Sequence, residues 1–229
     1  MTDKKQWQDL LTKAKSGDTD AQADVANCYF EGLKDENEKI IVRQNYKLAF
    51  EWFKKSADKG NINGILGLAD YFDTEIDGYK DTKKSIKLYK KAIDLGSSIS
   101  AFNLATVYRD KGNYKKAFDY YSLSMKLENS DYHYKVGLCL YYGIGVAADK
   151  TLAIRHFKKV CVDKLNTHTQ YDKDLANFHL GLSYLTGDGL KKSLKLAKEH
   201  FELANIDNDN QTALELTHLI GRNSNSKLK

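Results

Sequence analysis

The chain has 229 residues, 41% of them hydrophobic and 29% charged, with a formal net charge of +5, a mean hydropathy of −0.59 and no proline. No apolar run approaches the roughly 20 residues needed to span a bilayer. A modest positive balance with acids interspersed among the lysines argues against nucleic-acid binding. The N-terminus lacks the apolar stretch of a signal peptide, and three cysteines without a Cys-x-x-Cys pair fit a reduced cytosolic chain. If the chain is complete, a cytoplasmic protein is expected.

Taken in chain order, residues 6–15 place Trp7, Leu10, Leu11 and Ala14 on one stripe that stops at Gly17. This predicts a single helix covering the first of several repeats. From there the same two-part phrase recurs five times. Its first half, a small residue followed by apolar and small slots at helical spacing, reads Ala21/Val25/Ala26/Tyr29, then Gly64/Leu68/Ala69/Phe72 and Ser100/Leu104/Ala105/Tyr108. Tyr132/Val136/Gly137/Leu140 and Ala176/Leu180/Gly181/Tyr184 follow. Its second half reads Ala49/Phe53/Ser56, Ser85/Tyr89/Ala92, Ala117/Tyr121/Ser124, Ala153/Phe157/Val160 and Ala197/Phe201/Ala204. A weaker sixth first half, Thr212/Leu216/Thr217/Ile220, predicts a C-terminal capping helix, and 221–229 is expected to be a disordered tail.

Spacings of three and four put each set on one helix face. The Gly/Ala slots let helix backbones approach, and the aromatics fill the space beside them. Sixteen residues separate Ala69 from Ser85, Gly137 from Ala153 and Gly181 from Ala197. The longer intervals in repeats 1 and 4 mark insertions near residues 33–45 and 162–172, both rich in charged and amide residues and expected to be surface loops. Gly17, Gly60 and Gly96 supply helix stops where proline is absent. Self-similarity at roughly 30–45 residues signals a helical-hairpin array.

The expected fold is therefore all-α, a single solenoid domain over 1–229. The capping helix lies in 1–19, the repeats over 20–61, 62–97, 98–130, 131–172 and 173–210, and the second cap over 211–220.

These slots resemble the SEL-one-like repeat family, a branch of the tetratricopeptide superfamily, over about residues 20–220. Repeat 4 carries the pattern most fully, with Val136, Gly137, Gly143-Ile144-Gly145-Val146, Asp149, Ala153 and Phe157. Repeat 5 matches through Leu180-Gly181, Tyr184, Gly187-Asp188-Gly189, Ala197, Phe201 and Ala204. Repeats 2 and 3 lack the Gly-x-Gly loop, and repeat 1 keeps only Gly32 of it. The resemblance implies a right-handed α/α solenoid of about five hairpins with single capping helices at both ends. It also implies a protein-interaction scaffold rather than an enzyme.

No catalytic, cofactor or metal site is expected. Cys28 and Cys139 share one slot, and Cys161 follows the last slot of a second helix, so all three read as packing residues. His156 and His200 share a slot filled elsewhere by Trp52, Leu88 and Tyr120. His179 falls where Asp24, Gly67, Asn103 and Lys135 stand, which reads as a tolerant face. No His-Glu-x-x-His or His/Cys cluster appears. The Gly-x-Gly segments lie between helices, so they read as turns rather than phosphate cradles. The lysine pairs Lys54-Lys55, Lys90-Lys91 and Lys158-Lys159 read as a solvated helix face.

In the superfamily the first helices line a concave surface. By that analogy the partner groove would hold Asn27, Phe30, Asp70, Asp73, Phe102, Thr106, Arg109, Tyr134, Tyr141, Tyr142 and Phe178. Its N-terminal part is acidic and its C-terminal part aromatic, and about half of the aromatics are expected to pack between repeats. The expected partner is a peptide, helix or toxin domain of another protein, with no nucleic acid and no membrane insertion. Adaptor and immunity-protein readings both fit, an enzyme or regulatory subunit less well, and the oligomeric state is open.

Overall fold

The computed structural model describes residues 4–76, 78, 80–128, 132–162, 168–207 and 209–225. Among them are twelve α-helices and one two-stranded hairpin. The chain divides into two compact units, one ending at Val107 and one beginning at Tyr108.

The first unit holds α1 (Lys4–Ser16), α2 (Thr19–Glu31), β1 (Leu33–Lys34), β2 (Ile40–Val42), α3 (Tyr46–Asp58), α4 (Ile62–Asp73), α5 (Thr82–Asp94) and most of α6 (Ser98–Asp110). The second holds α7 (Tyr114–Glu128), α8 (His133–Tyr142), α9 (Lys150–Cys161), α10 (Gln170–Thr186), α11 (Leu194–Leu203) and α12 (Gln211–Asn225). The expected class, all-α hairpin repeats, is the one observed.

Helix starts are written locally. Asp18, Asn45, Asn61, Asp81, Asp149, Thr169 and Ser193 each accept a hydrogen bond from the backbone N–H three residues on. Each such cap satisfies an otherwise orphaned donor and stabilises by about 1 kcal/mol. Gly17, Gly60 and Gly96 follow helix ends with positive φ, as the sequence suggests.

The core follows the repeated slots. Phe53, Tyr89, Tyr121, Phe157 and Phe201, the five second-helix aromatics, are all buried, and so are the small residues on either side of each. The Gly/Ala slots sit where nothing larger fits: a Cβ at Gly137 would come within 2.8 Å of the Phe157 ring, and one at Gly181 within 2.6 Å of Phe201. These contacts close a hairpin. Others join one repeat to the next. A Cβ at Gly64 would lie 2.5 Å from the Ser56 hydroxyl of the preceding second helix, and one at Gly67 would enter the Phe53 ring.

The Gly-x-Gly loops do two jobs. Gly143 and Gly187 end α8 and α10 in the left-handed conformation, with φ of 71° and 88°. The second glycine of each loop seats on the start of the previous second helix. A Cβ at Gly145 would collide with the Tyr114 carbonyl, and one at Gly189 would lie 2.7 Å from Ile154 Cδ1 and 3.1 Å from the Lys150 backbone. Lys150 also pairs with Asp188 at 2.6 Å across the same contact.

Three expectations need correction. The first insertion is not plain loop: Leu33 pairs with Val42 and Lys34 with Ile40, and Asp35 Oδ1 accepts the N–H groups of Asn37 and Lys39 in the turn. The second insertion is shortened by α10, which already begins at Gln170; residues 163–167 lie outside the described residues. In the last copy Ala213, not Thr212, is the buried small residue, and α12 continues past residue 220 to Asn225. The tail beyond, 226–229, lies outside the described residues.

Candidate functional site

Three successive first helices of the first unit, α2, α4 and α6, bring Phe30, Asp70, Asp73, Phe102 and Thr106 around one cavity of about 400 Å³. All five were expected in the groove. Thr74, Tyr89 and Asn103 complete the lining. Tyr89 is a core aromatic by its slot, and Asn103 stands in the slot read as tolerant; their polar ends escape a reading based on packing alone.

Asp70 is the polar centre of this cavity. The Tyr89 hydroxyl donates to Asp70 Oδ1 at 2.6 Å and Asn103 Nδ2 donates to the same oxygen at 3.0 Å. Neither bond uses Oδ2. Burial raises the Asp70 carboxyl above the ordinary carboxylate range, the two hydrogen bonds oppose that rise, and Asp73 adds to it. Burial beside Asp70 likewise pushes the Tyr89 phenol far above its usual value. Asp73 Oδ1 faces Lys80 Nζ at 3.3 Å. The cavity thus offers carboxylate acceptors beside Phe30 and Phe102, an arrangement suited to a cationic or N–H-bearing group with an apolar stem.

The remaining groove candidates do not join it. Asn27 is exposed, and the exposed Arg109 contacts Asp110 at 2.8 Å. Tyr134 and Tyr141 are only 4% and 7% exposed, so they are packing residues rather than groove residues. Their rings lie against Phe157 and His179, at 5.9 Å from each for Tyr134 and at 6.0 and 5.6 Å for Tyr141. Phe178 is half-buried on Phe201. Tyr142 alone among these tyrosines stays open, at 56%.

His179 is no tolerant surface position. It is buried on the Phe157 ring at 5.1 Å, and burial lowers its pKa. Its Nδ1 donates to the Leu175 carbonyl at 2.8 Å, so Nε2 is the acceptor that receives the Tyr142 hydroxyl at 3.3 Å. His200 stacks on Tyr184 and contacts Asn177 Oδ1 at 2.9 Å, half-buried in the slot that Trp52, Leu88 and Tyr120 fill elsewhere. His156 meets His133 with 2.9 Å between their Nδ1 atoms, so one donates and the other accepts.

All three cysteines are free. Burial raises each thiol, that of Cys161 to about 11, which leaves them un-ionised and poorly nucleophilic at neutral pH. Among the described residues no group of three or more His, Cys, Asp and Glu side chains is placed to hold a metal ion, and no helix is long and apolar enough to cross a membrane.

Paired helices carrying the same buried slots in repeat after repeat define a helical-hairpin repeat protein. The Sel1 repeat model matches residues 19–61, 64–97, 98–128, 130–161 and 174–209. The chain belongs to the Sel1 repeat family.

Among solved structures it is similar to c5321, a protective antigen present in uropathogenic Escherichia coli strains and displaying an SLR fold. The TM-score is 0.74 at 23% identity over 93% of this chain and 44% of that one. A Sel1 repeat protein from Oxalobacter formigenes gives 0.66 at 21% identity over 86% of this chain and 76% of that one. A putative sel1 repeat protein from Klebsiella pneumoniae subsp. pneumoniae gives 0.52 at 20% identity, over 93% and 98% of the two chains. The chain thus spans less than half the length of the first of these relatives. At such identities the likeness establishes the fold.

Proposed function

We propose that this protein is a non-catalytic interaction module that captures a segment of a partner protein on the α2–α4–α6 face of its first unit. Sel1 repeats generally mediate protein–protein interaction. The observation that carries the reading is the convergence of Phe30, Asp70, Asp73, Phe102 and Thr106 on one cavity. A partner lysine or arginine would lay its apolar stem along Phe30 and Phe102 and place its charge at Asp70 and Asp73. Half-buried aromatics beside a charged anchor point suit an interface, where a few aromatic and charged residues dominate the binding energy.

The test is affinity capture from the source cells with mass spectrometry, comparing the natural chain with a Phe30→Ala, Asp73→Asn variant. Both substitutions fall at incompletely buried positions, so the helical circular-dichroism signal is expected to persist. A partner captured by the natural chain and lost by the variant supports the reading. A full set of partners retained by the folded variant overturns it.

A further inference from the structure

A second cleft lies in the first unit, away from the acidic cavity, between the second helices α3 and α5 with α4 beneath. Its volume is about 630 Å³. Phe50, Leu68, Phe72 and Leu88 make an apolar floor, in which the Phe50 and Phe72 rings meet edge-on at 6.0 Å. Lys54 stands on the α3 wall; Lys84, Lys87, Lys90 and Lys91 stand on the α5 wall. Asp58 and Asp94 are the only acids among the lining residues, so cations outnumber carboxylates five to two.

All five lysines are exposed. Lys84 contacts Asp81 at 3.2 Å and lies over the Phe72 ring at 5.0 Å. Among the described residues, Lys54, Lys87, Lys90 and Lys91 form no ion pair. The sequence presents Lys54, Lys90 and Lys91 as part of an ordinary solvated face; the structure shows that they border an apolar cleft together with Lys84 and Lys87.

We infer that this cleft is a docking site for an acidic amphipathic segment of a partner protein, one with apolar anchors on one face and several Asp or Glu residues beside them. The charge arrangement selects that occupant. Lys84, Lys87 and Lys91 follow one another at helical spacings of three and four, a row about 10 Å long at 1.5 Å per residue. Lys54 faces that row from the other wall. Cations distributed along both walls match carboxylates distributed along a chain. A fatty acid presents one headgroup. A single-stranded nucleic acid would need open ring faces on which to stack its bases, whereas Phe50 and Phe72 meet edge-on and Leu68 and Leu88 supply the rest of the floor. A cleft of this volume accepts one or two apolar side chains as anchors.

The experiment uses the full chain and fluorescence anisotropy. The probe is a labelled 14-residue peptide with Leu at positions i, i+3, i+4 and i+7 and Glu at most others. Controls replace every Glu by Gln, or every Leu by Ala; unlabelled dodecanoate and a single-stranded oligonucleotide serve as competitors. The parent peptide is expected to bind at least tenfold more tightly than either control and to resist both competitors. Lys54→Glu with Lys87→Glu is expected to weaken it at least tenfold. Lys158→Glu with Lys159→Glu, the same charge change in the second unit, is expected to leave it within twofold, as is Asp73→Asn in the acidic cavity.

Equal weakening by the two lysine pairs would reduce the effect to net charge and overturn the inference. So would unaltered binding by the Lys54/Lys87 variant, equal affinity for a control peptide, or displacement by dodecanoate or the oligonucleotide.

Discussion

His179 rests on Phe157 in the position that Gly67 occupies on Phe53. In both cases the residue three places after the small residue of a first helix meets the buried aromatic of the preceding second helix. In α4, α6 and α10 this slot therefore contributes to the joint between repeats. Where the slot holds glycine the aromatic fills the space; where it holds histidine the two rings meet at a tilt of 33°. Asn103 occupies the same slot and turns it polar, bonding Asp70, which in turn bonds the preceding aromatic, Tyr89.

The joint predicts opposite outcomes for one substitution at two helical glycines. Gly67→Ala is expected to destabilise the chain by about 1–3 kcal/mol, because its Cβ enters the Phe53 ring and overpacking outweighs the gain in helix propensity. Gly221→Ala, with nothing within 4 Å of its Cβ, is expected to stabilise by up to about 1 kcal/mol. Urea midpoints of the two variants decide this; a Gly67→Ala midpoint at or above that of the natural chain contradicts the joint.

Adjacent tyrosines on α8 should behave differently. Tyr141→Ala removes a buried ring and is expected to cost about 3–5 kcal/mol, as large-to-small aromatic changes in cores do. Tyr142→Ala, at an exposed ring that gives up one hydrogen bond to His179, is expected to cost about 1 kcal/mol. Thermal unfolding of the single variants separates the two, and equal melting temperatures would refute the burial difference.

Stability is expected to fall on mild acidification. Burial lowers the pKa of His156, His179 and His200 below the ordinary 6.5. The unfolded chain then binds more protons than the folded chain between each lowered value and 6.5. Their contribution is fully present above the unfolded value and is lost as pH falls through the folded ones. Melting temperatures measured from pH 8 to pH 5 should decline below about 6.5, and less steeply in His179→Phe. A flat profile would remove these rings as the source.

Asp70 works in the opposite sense. Its folded pKa is raised, so the folded chain holds its proton to higher pH, and its contribution to stability declines as pH rises from the ordinary carboxylate value through the folded one. Asp70→Asn keeps a carbonyl oxygen for the Tyr89 hydroxyl and the Asn103 amide. It is expected to melt no lower than the natural chain at pH 7 and to lose that part of the pH slope. A clear drop in melting temperature at pH 7 would show that the charge itself is needed.

Most of the fold is legible because packing imposes a period. Every second-helix aromatic named from spacing is buried, from Phe53 to Phe201. The β1–β2 hairpin is less visible: Ile40-Ile41-Val42 is a β-branched run, but it interrupts a helical period. In the candidate site, the grouping of Asp70 and Asp73 is legible because they are the two acids on a mostly apolar helix. The aromatic part does not, since a tyrosine at a groove-facing spacing can turn its ring inward, as Tyr134 and Tyr141 do. Spacing specifies the face of a helix and leaves the rotamer open.

The second glycine of each Gly-x-Gly loop sits on the first turn of the helix one repeat back, so the unit of structure is offset from the unit of sequence. A hairpin excised at its sequence boundary would leave behind the loop that covers its second helix. Any transplant, deletion or duplication in the second unit should therefore cut after the glycine loop of the following repeat, carrying Gly189 along with α9 and Gly145 along with α7. Recombination along this frame preserves every seat, whereas recombination along the repeat boundaries breaks one at each junction.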